Sequence, residues 1–247
     1  MTRDEEWLLK EKYQGEKTEG FFADCLRLES GEPLAYLIGH IPFLKATIFL
    51  DSKPLIPRPE TEYWVAKFLS EHSDNHPDSP HILDLCAGSG CIGVAVGLSF
   101  PTSHIDCCEI DLTHHVTIAD NWKTNGLEPD RLRLYGGSLY ESLPTTEKYH
   151  YILSNPPYID KSLKRTEASV VAYEPALALY GGEAGLELIA DIIKGAPAHL
   201  QPHGELWIEH EAEQVAAIAT LGQEAGFIVH THEDQYGVAR YSQLVLQ

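Results

Sequence analysis

His81-Ile-Leu-Asp-Leu-Cys86, then Ala87-Gly-Ser-Gly90, then Cys91-Ile-Gly-Val-Ala-Val-Gly-Leu98 reads as a strand, a tight turn and a helix in immediate succession. Gly88 and Gly90 permit positive φ and a close approach of backbone to ligand, and the helix behind them presents unpaired N–H groups. The expectation is a nucleotide-binding loop. Gly88-x-Gly90-x-x-Gly93 also matches the dinucleotide fingerprint, so an NAD enzyme of the Rossmann type competes at this point. Beyond the next apolar run, 105–108, Glu109 falls where an acidic residue takes the two ribose hydroxyls of an adenosine cofactor. Asp111 is the alternative for that role, and Glu109 is preferred. Working outward, strands at 82–85, 105–108, 132–135, 151–153 and 206–208 alternate with helices that include 116–125 and 186–200. That alternation predicts an α/β fold with a doubly wound, mainly parallel sheet.

The chemistry is expected at Asn155-Pro156-Pro157-Tyr158, which ends the apolar run 149–154 where an open α/β sheet places its site. Asn155 offers a side-chain carbonyl as acceptor and Pro156 a backbone carbonyl, while neither proline has an N–H to compete. Each proline also holds the residue before it in an extended geometry. A site rich in acceptors and poor in donors suits a planar nitrogen whose two N–H groups must be held before it attacks, with the Tyr158 ring laid on the flat target. Such a site works by orientation and by acceptors aimed at the charge developing on nitrogen. Methyl transfer to an amide or exocyclic aryl nitrogen is the expectation; an ordinary Asn-Pro-Pro turn is the plain alternative.

Five segments in order, Glu32-Pro-Leu-Ala-Tyr-Leu-Ile-Gly39, Leu55-Ile-Pro-Arg-Pro-Glu-Thr-Glu62, the loop 84–90, Ser154-Asn-Pro-Pro-Tyr-Ile159 and Tyr173-Glu-Pro-Ala-Leu-Ala-Leu179, resemble the HemK/PrmC protein-glutamine methyltransferases. Asn-Pro-Pro-Tyr alone is shared with adenine methyltransferases; the other segments and their order carry the specificity. The resemblance implies a Rossmann-like class I methyltransferase fold and S-adenosylmethionine as donor, with S-adenosylhomocysteine as product. It implies as substrate the glutamine of the Gly-Gly-Gln motif of peptide-chain release factors. Carried over by motif, Cys86, Ala87, Gly88, Ser89 and Gly90 wrap the methionine and ribose, and Glu109 binds the ribose. Ser138 and Leu139 lie in the adenine-contacting segment. Asn155, Pro156, Pro157 and Tyr158 hold the glutamine, with Asn155, Pro156 and Tyr158 as the catalytic set and Asn155 also near the cofactor. This chain departs from the pattern at Ser138, where the family has an aspartate. It departs again at Glu209-His210-Glu211, where the family reads Glu-His-Gly and to which no catalytic role is assigned. The segment ahead of Ile56 is shorter than the family's helical amino-terminal domain, which predicts a reduced surface for gripping the release factor.

The 247 residues fill one substantial domain, 54–247, plus a small amino-terminal cap and hairpin, 1–53, for substrate recognition. A net charge of −19 with 18 Lys plus Arg counts against an enzyme that grips nucleic acid through phosphates and fits a basic protein partner better. The five cysteines form no CxxC pair and read as small core residues; the 13 histidines are scattered, and no metal is expected. The chain opens on charged residues without an apolar segment of spanning length, so no membrane association and a cytoplasmic setting are expected. Residues 5–27 read as short amphipathic helices broken near Gly15 and Gly20, 41–51 as a hairpin, and 62–71 as a helix. The Arg58 to Glu62 region is either a cofactor entrance or a turn capped by Thr61. Residues 73–80 read as a polar loop, and 160–173 as a mobile loop closing on the substrate, its far end fixed by Glu174-Pro175. Two further apolar runs, 227–229 and 241–246, are expected to pair as a terminal hairpin.

Three readings compete: a protein-glutamine methyltransferase, an adenine methyltransferase acting on nucleic acid, and a non-catalytic nucleotide-binding module. The first is favoured, because no separate basic recognition domain serves the second and Asn-Pro-Pro-Tyr argues against the third.

Overall fold

The computed structural model of the protein describes residues 1–73 and 76–247; of the expected polar loop 73–80, Asp74 and Asn75 lie outside the described residues. Helices α1 (Arg3–Glu11), α2 (Glu19–Glu29) and α3 (Leu34–Ile38) precede a hairpin of β1 (His40–Phe43) and β2 (Ala46–Phe49). Then follow α4 (Pro59–Glu71), β3 (His81–Leu85), α5 (Cys91–Ser99), β4 (His104–Glu109), α6 (Thr113–Thr124), β5 (Leu132–Gly136) and β6 (Tyr149–Ser154). The chain ends with α7 (Ala168–Tyr173), α8 (Glu187–Gly195), β7 (Leu200–Glu209), α9 (Val215–Glu224), β8 (Phe227–Glu233) and β9 (Ala239–Leu246).

The main sheet has seven strands in the order β5-β4-β3-β6-β7-β9-β8. The first five are parallel, and β9 runs antiparallel between β7 and β8. After β3 the chain builds outward through β4 and β5, then returns to lay β6 on the other side of β3. The winding reverses between β3 and β6, and the crevice at their carboxyl ends is where such sheets bind ligands.

Alternation along the strands divides the core between the two faces. Ile82, Tyr151, Leu153 and Trp207 pack with Trp64 and Phe68 of α4, with α5, and with Trp122 of α6. Leu83, Leu85, Ile152, Leu206 and Ile208 pack with Ile189, Ile192 and Ile193 of α8 and Ile218 of α9. Helix α5 is apolar all round because it is enclosed on every side. Gly97 lets α6 close on it, since a Cβ there would stand 2.6 Å from the Trp122 ring.

The hairpin β1–β2 packs Phe43, Ala46 and Ile48 into the main core, whereas α1 to α3 have a small core of their own around Leu8, Phe21 and Leu37. Among the described residues no helix is long and apolar enough to cross a membrane, and no three His, Cys, Asp or Glu side chains gather as a metal set.

Candidate active site

Two adjoining cavities open at the carboxyl ends of β3, β4 and β6. The first is lined by Cys86, Gly88, Glu109, Ser138, Leu139 and Asn155, among others. Its floor is held by backbone: the N–H groups of Cys86 and Ala87 both donate to the Cys108 carbonyl, at 3.0 and 3.1 Å. Glu109 is oriented the same way, one carboxylate oxygen accepting the Gly88 N–H and the other the Asp111 N–H, each at 2.8 Å. Both oxygens retain acceptor capacity, as two ribose hydroxyls require. Asp111 also borders the cavity, but its carboxylate starts α6, taking the N–H and hydroxyl of Thr113, which hold its carboxyl below the usual range.

The loop residues divide. Cys86 and Gly88 front the cavity, while Ala87, Ser89 and Gly90 are buried behind it. The Ser89 carbonyl takes the Asn121 amide and Gly90, at φ 75°, turns the chain into α5. Cys86 and Gly88 are thus the two of these five that border the cavity, while Ala87, Ser89 and Gly90 form the packed side of the turn. Ser138 and Leu139 lie at the cavity wall beside Cys108, whose thiol donates to the Leu139 carbonyl and is pushed up by burial to about 11. Apolar walls from Leu55, Ile110 and Leu177, facing the Glu109 carboxylate, fit an adenosine cofactor.

Asn155 lines the second cavity as well, with Pro156, Tyr158, Arg58 and Val170, so it stands where the two meet. Pro157 faces the first cavity. Asn155 Nδ2 donates to Thr61 Oγ1 at 3.0 Å. Thr61 Oγ1 donates to Glu209 Oε2 at 2.7 Å, Trp64 Nε1 donates to the same oxygen at 2.7 Å, and Tyr158 Oη donates to Glu209 Oε1 at 2.8 Å. Among the described residues nothing donates to Asn155 Oδ1 or to the Pro156 carbonyl. These are the two acceptors the sequence placed here. Burial and the neighbouring Glu209 push the Tyr158 phenol well above its ordinary value.

Residues 65–235 match the family model described as Methyltransferase small domain. The release factor glutamine methyltransferase of Bordetella pertussis is 36% identical over 214 residues, covering 86% of this chain and 77% of that protein. The chain belongs to the release factor glutamine methyltransferase family. The ribosomal protein uL3 glutamine methyltransferase of the same organism is 32% identical over 187 residues, 75% of this chain and 62% of that one. The crystal structure of a methyltransferase from Pyrococcus furiosus shares the fold, with a TM-score of 0.61 at 18% identity over 90% of this chain and 97% of that one.

In this family member several residues that sequence reasoning passed over complete the site. Glu209, fully buried, was given no role; the available signal was an acid at the carboxyl end of β7, the strand beside β6, which leads into Asn155. Thr61 does not cap α4, which begins at Pro59 with Arg58 as its N-cap; it is buried inside the first turn. Gln214 Nε2 donates to the carbonyls of Tyr158 and Ala184, both at 2.9 Å, and braces the motif from behind. The expected mobile loop 160–173 carries a 3₁₀ turn, Lys161–Leu163, and α7. Its far end is tied down at Glu174, as expected, by the Ile56 N–H at 3.0 Å and Arg58 Nη2 at 2.6 Å. Arg58 therefore lines the second cavity and latches this segment.

Proposed function

We infer that the protein transfers a methyl group from S-adenosylmethionine to the side-chain amide nitrogen of the glutamine in the Gly-Gly-Gln motif of peptide-chain release factors. The observation that carries this reading is Asn155: its amino end donates to Thr61, none of the described residues donates to its carbonyl oxygen, and it borders both cavities.

When bound, S-adenosylmethionine supplies the methyl group on a positively charged sulfur. Glu109 is the acceptor for its ribose hydroxyls, with Cys86, Gly88, Ser138 and Leu139 along the same cavity. Asn155 Oδ1 and the Pro156 carbonyl take the two N–H groups of the substrate amide, which turns the nitrogen lone pair toward the methyl carbon and stabilises the positive charge that grows on nitrogen. With the cofactor held there, the nitrogen would gain the methyl group as S-adenosylhomocysteine is left, and it would give up one of its two protons to solvent once the site reopens. Pro157 and Tyr158 wall the planar group, and the segment latched by Arg58 and Glu174 keeps bulk water from it. In this reading residues 1–53 assist in gripping the protein substrate, 54–247 carry the chemistry, and the enzyme works in the cytoplasm where release factors act.

The test is label transfer from S-adenosylmethionine to a release factor, to its variant with the Gly-Gly-Gln glutamine changed to alanine, to ribosomal protein uL3, and to an adenine-containing oligonucleotide. Label on the intact release factor alone is expected. Label on uL3 in preference redirects the substrate within the same chemistry, and label on the oligonucleotide overturns the reading.

A further inference from the structure

We propose that Glu209 is a positioning residue that, through Thr61, decides which end of the Asn155 side chain faces the substrate. The two ends of an asparagine amide have nearly the same shape, so packing does not choose between them; hydrogen-bond partners do. The partner of Asn155 is the Thr61 hydroxyl, which can donate or accept but has a single hydrogen. That hydrogen is committed. Trp64 Nε1 is a donor with no acceptor capacity, and it points at Glu209 Oε2, so this oxygen must accept. Thr61 Oγ1 meets the same oxygen at 2.7 Å and donates to it. What remains on Thr61 is a lone pair, which only the amino end of Asn155 can satisfy. Asn155 Oδ1 is thereby turned to the cavities, whatever proton Glu209 Oε1 shares with Tyr158.

The chain of command crosses the fold. Thr61 lies 94 positions before Asn155, and Glu209 lies 148 positions after Thr61. The relay therefore requires α4, the turn after β6 and the end of β7 to be correctly assembled before the acceptor is aimed. Its effect on rate rests on the methyl-transfer reading; the orientation itself does not.

Thr61→Val keeps the shape and removes the hydroxyl. The expected result is a kcat for release-factor methylation lower by about 10-fold to 100-fold, less than the loss of an aimed polar contact outright because Asn155 itself remains. KM and cofactor affinity should stay within about twofold, since an interaction made in the transition state is what is lost. Thr61→Ser should restore kcat. Glu209→Gln keeps a carbonyl for Trp64 and Thr61, so it should retain kcat within about fivefold. A readout independent of substrate is the side-chain amide signal of Asn155 in ¹⁵N-labelled protein, identified by its loss in Asn155→Ala. It should be protected from hydrogen exchange in the wild type, Thr61→Ser and Glu209→Gln, and exposed in Thr61→Val. A Thr61→Val protein with wild-type kcat, or with a protected Asn155 amide, overturns the proposal. A protected amide in a wild-type enzyme that leaves the release factor unlabelled supports the orientation and overturns the substrate reading instead.

Discussion

The glycine loop after β3 and the Asn155 to Tyr158 turn after β6 sit side by side at the carboxyl ends of the two central strands, yet they are held by different means. The loop is fixed by its immediate surroundings: backbone bonds to the adjacent strand β4, and a Glu109 carboxylate oriented by two N–H groups. The turn has its backbone preset by two prolines and braced at the Tyr158 carbonyl by Gln214, but its side chains are aimed from afar, by Thr61 and Glu209. A binding loop that must only cradle a ligand can be specified locally; an acceptor that must point within a narrow angle draws on the whole assembled core.

The largest expected effect separates the two regions outright. Asn155→Ala should lower turnover by roughly 100-fold to 1,000-fold while cofactor affinity, measured by calorimetry, changes only slightly; equal losses in both would erase the distinction. Next, two glycine substitutions compare the supports themselves. In Gly185→Ala the new Cβ would stand 1.9 Å from the Tyr158 carbonyl oxygen at a φ of +67°, so the turn must shift, with turnover falling about 10-fold or more and the melting temperature falling with it. In Gly88→Ala the Cβ meets nothing within 4 Å at φ +55°; the folded state loses about 1–2 kcal/mol of backbone preference and the penalty appears in cofactor binding rather than in turnover at saturating cofactor.

Glu109→Ala should weaken the cofactor by roughly 10-fold to 100-fold, the worth of hydrogen bonds to a charged acceptor, with turnover recovering when cofactor is raised. Undiminished affinity would move the ribose role to Asp111.

The smallest effect concerns Asp84, beneath the loop. Its Oδ2 takes the Gly93 N–H at 2.8 Å and its Oδ1 is buried without a partner, and burial pushes its carboxyl up to about 7. The unfolded chain releases that proton near ~3.9, so between these values the folded state holds the extra proton. The contribution to stability is then greatest at low pH, declines as pH rises toward about 7 and is flat beyond. In urea unfolding from pH 5.5 to 7.5, as an approximate working window, the wild type should lose stability relative to Asp84→Asn; parallel curves would contradict this.

Much of the loop side was legible because its information is contiguous. The run 81–98 contains strand, turn and helix, and Glu109 follows at the next strand end. The strands of the main sheet were visible in their apolar runs, although β7 extends well ahead of 206–208 and α4 starts at its proline, three residues before the expected start. The burial of Ala87, Ser89 and Gly90 was not legible, since a motif does not show which of its residues border a cavity. Glu209 escaped for a stronger reason: a lone acid at a strand end resembles a solvated one until Thr61, Trp64 and Tyr158 converge on it. The 160–173 segment was read as loop because its composition is polar, but a six-residue helix docked through Glu174 needs little periodicity of its own.

The most direct test of the account is to map the methyl group on a release factor after reaction with the wild-type enzyme, by fragment mass spectrometry. The account predicts a single methyl on the side-chain nitrogen of the Gly-Gly-Gln glutamine. A methyl group on any other residue, or none on a release factor incubated with active, cofactor-bound enzyme, would contradict it.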